Sequence, residues 1–191
     1  IGDIECIFKK NAYINTPKLE ITIPSFKSIP DGFFQNFKSL IKVTILSPLT
    51  SIGKNTFKGC SSLEQVSFPS TVKSINDGAF NGCASLTEIR ILSSVSSSEK
   101  SALNYSSLAQ SPVTLIGNSI FKGCSLLKEI TIPSTMTSIG ESVFEGCSSL
   151  KEIVIPSTVT SIGDSVFKGC SSLRKITIPL TIASIGGSAF E

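Results

Sequence analysis

One interval constrains this chain more than any other property: 23 residues. Phenylalanine recurs at Phe34, Phe57, Phe80, Phe121, Phe144, Phe167 and Phe190, in steps of 23 broken once by a step of 41. Leucine keeps the same spacing at Leu40, Leu63, Leu86, Leu127, Leu150 and Leu173, and isoleucine at Ile29, Ile52, Ile75, Ile116, Ile139, Ile162 and Ile185. Leu19 lies 21 residues before Leu40, so the first coil is two residues short. A unit of this length cannot enclose a core alone, but stacked copies turn each apolar column into a continuous ladder. The expected architecture is one solenoid domain over 1–191, with 1–18 as a degenerate first coil and 94–111 as a loop insertion.

One unit reads LKEIVIPSTVTSIGDSVFKGCSS, Leu150 to Ser172. Leu150, Ile153 and Ile155 lie on the alternation of a strand with one buried face. Pro156 follows at its exit, where the missing N–H does no harm. Thr160 to Gly163 is a short turn or second strand with Ile162 inward. Asp164 to Lys168 reads as one helical turn, with Asp164 near the N-cap and Gly169 at the C-terminal left-handed position. Asn36 stands in the Gly169 column, and asparagine also tolerates positive φ. The Gly163 column is read the same way, which makes Pro30 in the first coil an exception. About seven coils would line up a parallel sheet on the order of 30 Å across.

The residues Leu150, Ile153, Ile155, Pro156, Val159, Ile162, Gly163, Phe167 and Cys170, with their equivalents from about Leu19 to Glu191, resemble the leucine-rich repeat of the BspA-like subclass. The resemblance implies a leucine-rich repeat solenoid, β-rich within the α/β class. Its strands would line a concave parallel β-sheet, with short helical or 3-10 turns on the convex side. It also implies protein recognition, because this subclass is associated with surface and adhesive proteins. Neither end of the chain reads as a polar cap, so the expectation is a piece of a longer array or ends covered by self-association.

Composition narrows the chemistry. The chain has no histidine, which removes Ser-His-Asp and Cys-His nucleophile pairs and histidine metal sites. No catalytic residue, metal ligand or cofactor is assigned, and an enzyme is not expected. A net charge of +3, without Trp and with two Tyr, argues against a nucleic-acid partner. No apolar run approaches the ~20 residues of a membrane span, so direct membrane insertion is not expected.

Five of the six cysteines, Cys60, Cys83, Cys124, Cys147 and Cys170, share one column in which the first coil has Phe37. A column that accepts Cys or Phe requires apolar filling, so these thiols read as buried, reduced and structural. Cys6 has no clear phase. Reduced thiols favour an intracellular setting, whereas the resemblance favours the cell surface or secretion, so the compartment stays open.

The concave face is the expected partner-binding surface. Its middle column reads Glu20, Lys42, Gln65, Glu88, Glu129, Glu152, Lys175, and the next reads Thr22, Thr44, Ser67, Arg90, Thr131, Val154, Thr177. Candidate contacts are Glu88, Arg90, Glu129, Thr131, Glu152, Lys175 and Thr177. Glu88, Glu129 and Glu152 form a glutamate stripe suited to a basic partner. The inserted segment SVSSSEKSALNYSSLAQS, with Glu99, Lys100 and Tyr105, is a candidate recognition loop. Lys42-Val43-Thr44-Ile45 and Gln65-Val66-Ser67-Phe68 loosely resemble the docking motif of protein phosphatase regulators, but Val43, Ile45, Val66 and Phe68 fall on the core side of the register. Two functions follow: a cell-surface or adhesive recognition module with a protein partner, or an intracellular scaffold for a signalling enzyme such as a phosphatase. Homo-oligomerisation through the solenoid ends is a further expectation.

Overall fold

The computed structural model describes residues 19–23, 29–92 and 113–191. In chain order the strands of the first half are β1 (Leu19–Ile23), β2 (Leu40–Ile45), β3 (Ser51–Ile52), β4 (Gln65–Pro69), β5 (Ser74–Ile75) and β6 (Glu88–Leu92). Those of the second half are β7 (Leu115–Ile116), β8 (Ser138–Ile139), β9 (Glu152–Val154), β10 (Ser161–Ile162), β11 (Lys175–Thr177) and β12 (Ser184–Ile185). Every pairing between them is parallel, as a solenoid of about six turns requires.

The 23-residue step becomes a physical register. Val43 pairs with Val66, Val66 with Ile89, and Ile153 with Ile176, so identical positions stack coil upon coil. Alternation sets the inner face: Leu40, Val43 and Ile45 of β2 are wholly buried. The repeat phenylalanines form one stack from Phe34 to Phe190, with adjacent centroids 5.3 to 5.8 Å apart and ring planes within 16° of parallel. Offset stacking of this kind adds to the burial energy of each ring. A single cluster of buried side chains runs from Ile21 to Cys170.

The convex side differs in kind from the helical or 3-10 turns expected. No described residue is helical there; the segments are turns. Two left-handed residues per coil account for this, Ser165 at φ 55° and Gly169 at φ 72° in one coil. Reversals at these points stop the i to i−4 pattern and aim alternate amides at the neighbouring coil. Ser142 N donates to Asp164 O at 2.9 Å, Phe144 N to Val166 O at 3.0 Å, and Gly146 N to Lys168 O at 2.8 Å. The turns are therefore the rungs of another ladder.

The Gly163 column also differs from expectation. Its glycines do not have positive φ, so Pro30 is no exception there. The later glycines serve close approach instead, where a Cβ on Gly163 would lie 2.8 Å from Glu141 N and from the Gly140 carbonyl carbon, whereas Pro30 and Asn76 show that the early coils accept a side chain in this column.

The concave sheet is divided. β1, β2, β4 and β6 form one four-stranded sheet, β9 and β11 form another, and the coil between contributes the bridge Glu129–Glu152. The short strands split likewise into β3-β5-β7 and β8-β10-β12. The convex ladder crosses the same point intact, with Gly78 N donating to Asn118 O and Ser119 N to Glu141 O. Phe80 and Phe121 also remain stacked there at 5.7 Å. The coil that carries the 18-residue insertion, between β6 and β7, still pairs with the coil before it through both strands; pairing is lost only toward the coil that follows, and the core stack stays continuous.

Candidate functional site on the concave face

The middle column is aligned as expected. Glu20 pairs with Lys42, Lys42 with Gln65, and Gln65 with Glu88 in one sheet; Glu129 pairs with Glu152, and Glu152 with Lys175, beyond the interruption. Charges in this column mostly find partners across the rungs. Lys42 lies 3.8 Å from Glu20, and Lys175 lies 3.9 Å from Glu152. These exposed pairs are worth little individually.

The expected glutamate stripe is shorter than three. Glu88 Oε1 accepts from Arg90 Nε at 2.5 Å, and both side chains are less than a third exposed. With the Gln65 amide suitably oriented, its oxygen accepts from the same guanidinium at 2.9 and 3.1 Å. Glu129 and Glu152 remain as adjacent exposed carboxylates. Thr131 and Thr177 are exposed on their coils, with Val154 60% exposed between their positions in the column. The outward residues of β2, β4 and β6 are partly buried, and Ser67 is only 4% exposed. Accessible concave residues therefore lie at the two ends of the described sheet face: Glu20 and Thr22 on β1, and Glu129, Thr131, Glu152, Val154, Lys175 and Thr177 on the last three coils. Glu99, Lys100 and Tyr105 lie outside the described residues, as does Cys6.

The remaining sequence motifs are structural. Val43, Ile45, Val66 and Phe68 are wholly buried, so the phosphatase-like stretches are core strands. The five repeat cysteines are free and buried. Each thiol donates to a phenylalanine carbonyl of the preceding coil, from Cys60 Sγ to Phe34 O at 2.9 Å to Cys124 Sγ to Phe80 O at 3.3 Å. Burial pushes the Cys60 thiol up to about 12 and Cys170 up to about 11, and raises Cys83, Cys124 and Cys147 as well. Such thiols are poor nucleophiles at neutral pH. No group of three or more metal-ligating side chains occurs among the described residues.

Sequence reasoning missed two columns. Asp31, Asp77, Asn118 and Asp164 accept, through a side-chain oxygen, the backbone N–H of Lys54, Asn118, Glu141 and Gly187 on the next coil, at 2.8 to 2.9 Å. The recurrence of Asp and Asn in one column was the available signal. The second column, Lys128, Lys151 and Arg174, precedes the concave strand positions by one residue and is exposed throughout.

Parallel coils with buried aliphatic and phenylalanine ladders beneath a polar strand face define a leucine-rich repeat solenoid. Such repeats generally serve as non-catalytic protein-interaction modules. The chain belongs to the BspA type leucine rich repeat region family, which it matches in six copies over residues 7–111 and 109–191. Among solved structures it is similar to a leucine rich repeat protein of T. pallidum, with a TM-score of 0.72 and 25% identity over 87% of this chain and 72% of that one. It is also similar to a leucine rich cell surface protein of Faecalibacterium prausnitzii, with a TM-score of 0.72 and 31% identity over 92% of this chain. A leucine-rich repeat protein of Bacteroides ovatus matches with a TM-score of 0.64 and 25% identity over 88% of this chain. The chain spans only 45% and 48% of the length of these last two. No curated protein matches it.

Proposed function

We propose that the chain is a non-enzymatic recognition module of a cell-surface or adhesive protein, binding a protein partner through the concave residues of its last three coils. The observation that carries this reading is the exposed set Glu129, Thr131, Glu152, Val154, Lys175 and Thr177. It presents charged, hydroxyl and apolar groups on a backbone held by interstrand hydrogen bonds, so little ordering entropy is lost on binding. Similarity to a leucine rich cell surface protein supports the surface setting. The buried free cysteines favour a second reading, an intracellular scaffold holding a signalling enzyme, because they neither need nor display an oxidising compartment.

Two measurements test these readings. Antibody against the chain should label intact source cells; labelling only after permeabilisation would favour the scaffold. Partners captured by cross-linking to the native chain should be lost with Glu129→Lys/Glu152→Lys, whose melting should match wild type. Undiminished capture by that folded variant would refute the concave site.

A further inference from the structure

Lys42, Lys54, Arg90, Lys122, Lys168 and Lys175 each lie within 4 Å of a carboxylate. Among the described cations without an ion pair, Lys38, Lys58 and Lys73 are scattered, whereas Lys128, Lys151 and Arg174 share one column on three successive coils. Lys151 N donates to Lys128 O at 3.2 Å and Arg174 N to Lys151 O at 2.9 Å, so the three residues are in direct register. All three are exposed. Glu129 follows Lys128 in the chain but makes no ion pair with it, and Glu152 faces Lys175 instead.

In-register rungs place like charges roughly 4.8 Å apart at the backbone. That is well inside the ~8 Å Debye length at physiological ionic strength. The repulsion is relieved by a ligand carrying negative charge along its length. We propose that Lys128, Lys151 and Arg174 form a binding stripe for a linear anionic polysaccharide laid across the coils. A chain bearing a sulfate or carboxylate on each sugar repeats its charge on about the thickness of one coil. An extended acidic peptide spaces successive residues by ~3.4 Å and same-side residues by ~6.8 Å, and neither interval keeps step with the rungs. Nucleic acid is disfavoured because binding of single strands relies on exposed aromatic platforms, and the repeat phenylalanines are committed to the core stack. The stripe goes beyond the concave-face reading and stands apart from it.

Heparin immobilised on a sensor surface is the direct probe. The native chain should bind it, and more weakly as salt is added. Lys128→Gln/Lys151→Gln/Arg174→Gln should lose affinity roughly tenfold or more, as expected when three anion contacts are removed. A matched variant, Lys38→Gln/Lys58→Gln/Lys73→Gln, removes the same charge from scattered positions and should stay within about twofold of wild type, since general electrostatics alone would not separate the two. Equal melting temperatures would show that both variants are folded. Polygalacturonate against heparin separates carboxylate from sulfate recognition, and binding to either supports the stripe. Absence of binding to both, equal losses in the two triple variants, or stronger competition by polyglutamate or a single-stranded oligonucleotide would overturn it.

Discussion

At the residue scale, the repeat is a set of positions with different physical demands. Phe144 is 2% exposed and sits between Phe121 and Phe167, at 5.8 and 5.7 Å. Truncation there removes contacts on two sides that neighbouring coils cannot collapse to fill. Phe144→Ala should therefore cost about 3–5 kcal/mol, measured by urea unfolding. The cysteine column makes a separate prediction. An unfolded thiol ionises near 9.0, whereas the folded Cys60 thiol holds its proton to about 12 and Cys170 to about 11. Above the unfolded value the unfolded chain binds fewer protons than the folded one, so stability falls as pH rises. It should be level through pH 8 and then decline by up to about 1.4 kcal/mol per pH unit for each such thiol. The urea midpoint measured at rising pH checks this, and Cys60→Ala should flatten the slope. A midpoint independent of pH between the unfolded and folded values would contradict burial of the thiols.

At the element scale, the convex turn is where sequence and structure part most. The strands, their inward residues and the register were legible because β-alternation and a 23-residue period report burial directly. Turn type was not, because Asp164-Ser165-Val166-Phe167-Lys168 also satisfies a single helical turn. The discriminating position is Ser165, whose column reads Gly32, Asn55, Gly78, Ser119, Ser142, Ser165, Ser188, all at positive φ. Glycine and asparagine in the early coils carried that information, diluted by four serines. A β-branched residue is much less tolerant of this conformation. Ser165→Val should destabilise by about 1–2 kcal/mol although the site is only partly buried. Ser165→Gly should not destabilise by more than a few tenths. Thermal melts of the pair decide: equal, small effects would mean that the turn is helical after all. The concave sites were legible only as columns. That Glu88 is bound by Arg90, while Glu129 and Glu152 stay exposed, depends on side-chain geometry and on the break beside the insertion, which spacing alone does not encode.

At the scale of the whole molecule, the described coils differ in how fully their apolar ladders are covered. Interior coils bury apolar ladders on two faces, but the final coil leaves Ile178, Leu180, Ile185 and Phe190 between 39% and fully exposed. Phe190 stacks on Phe167 at 5.5 Å with its other face open. Exposed apolar surface of this kind drives association in water. The 191-residue chain should accordingly self-associate, its sedimentation coefficient rising across a concentration series. Leu180→Glu/Ile185→Glu places charge on that face while leaving the interior ladders untouched, and should restore a monomer at every concentration. Association that survives the double substitution would place the contact elsewhere. A wild-type chain that sediments as a monomer throughout would show that this face is stable in water without a covering partner.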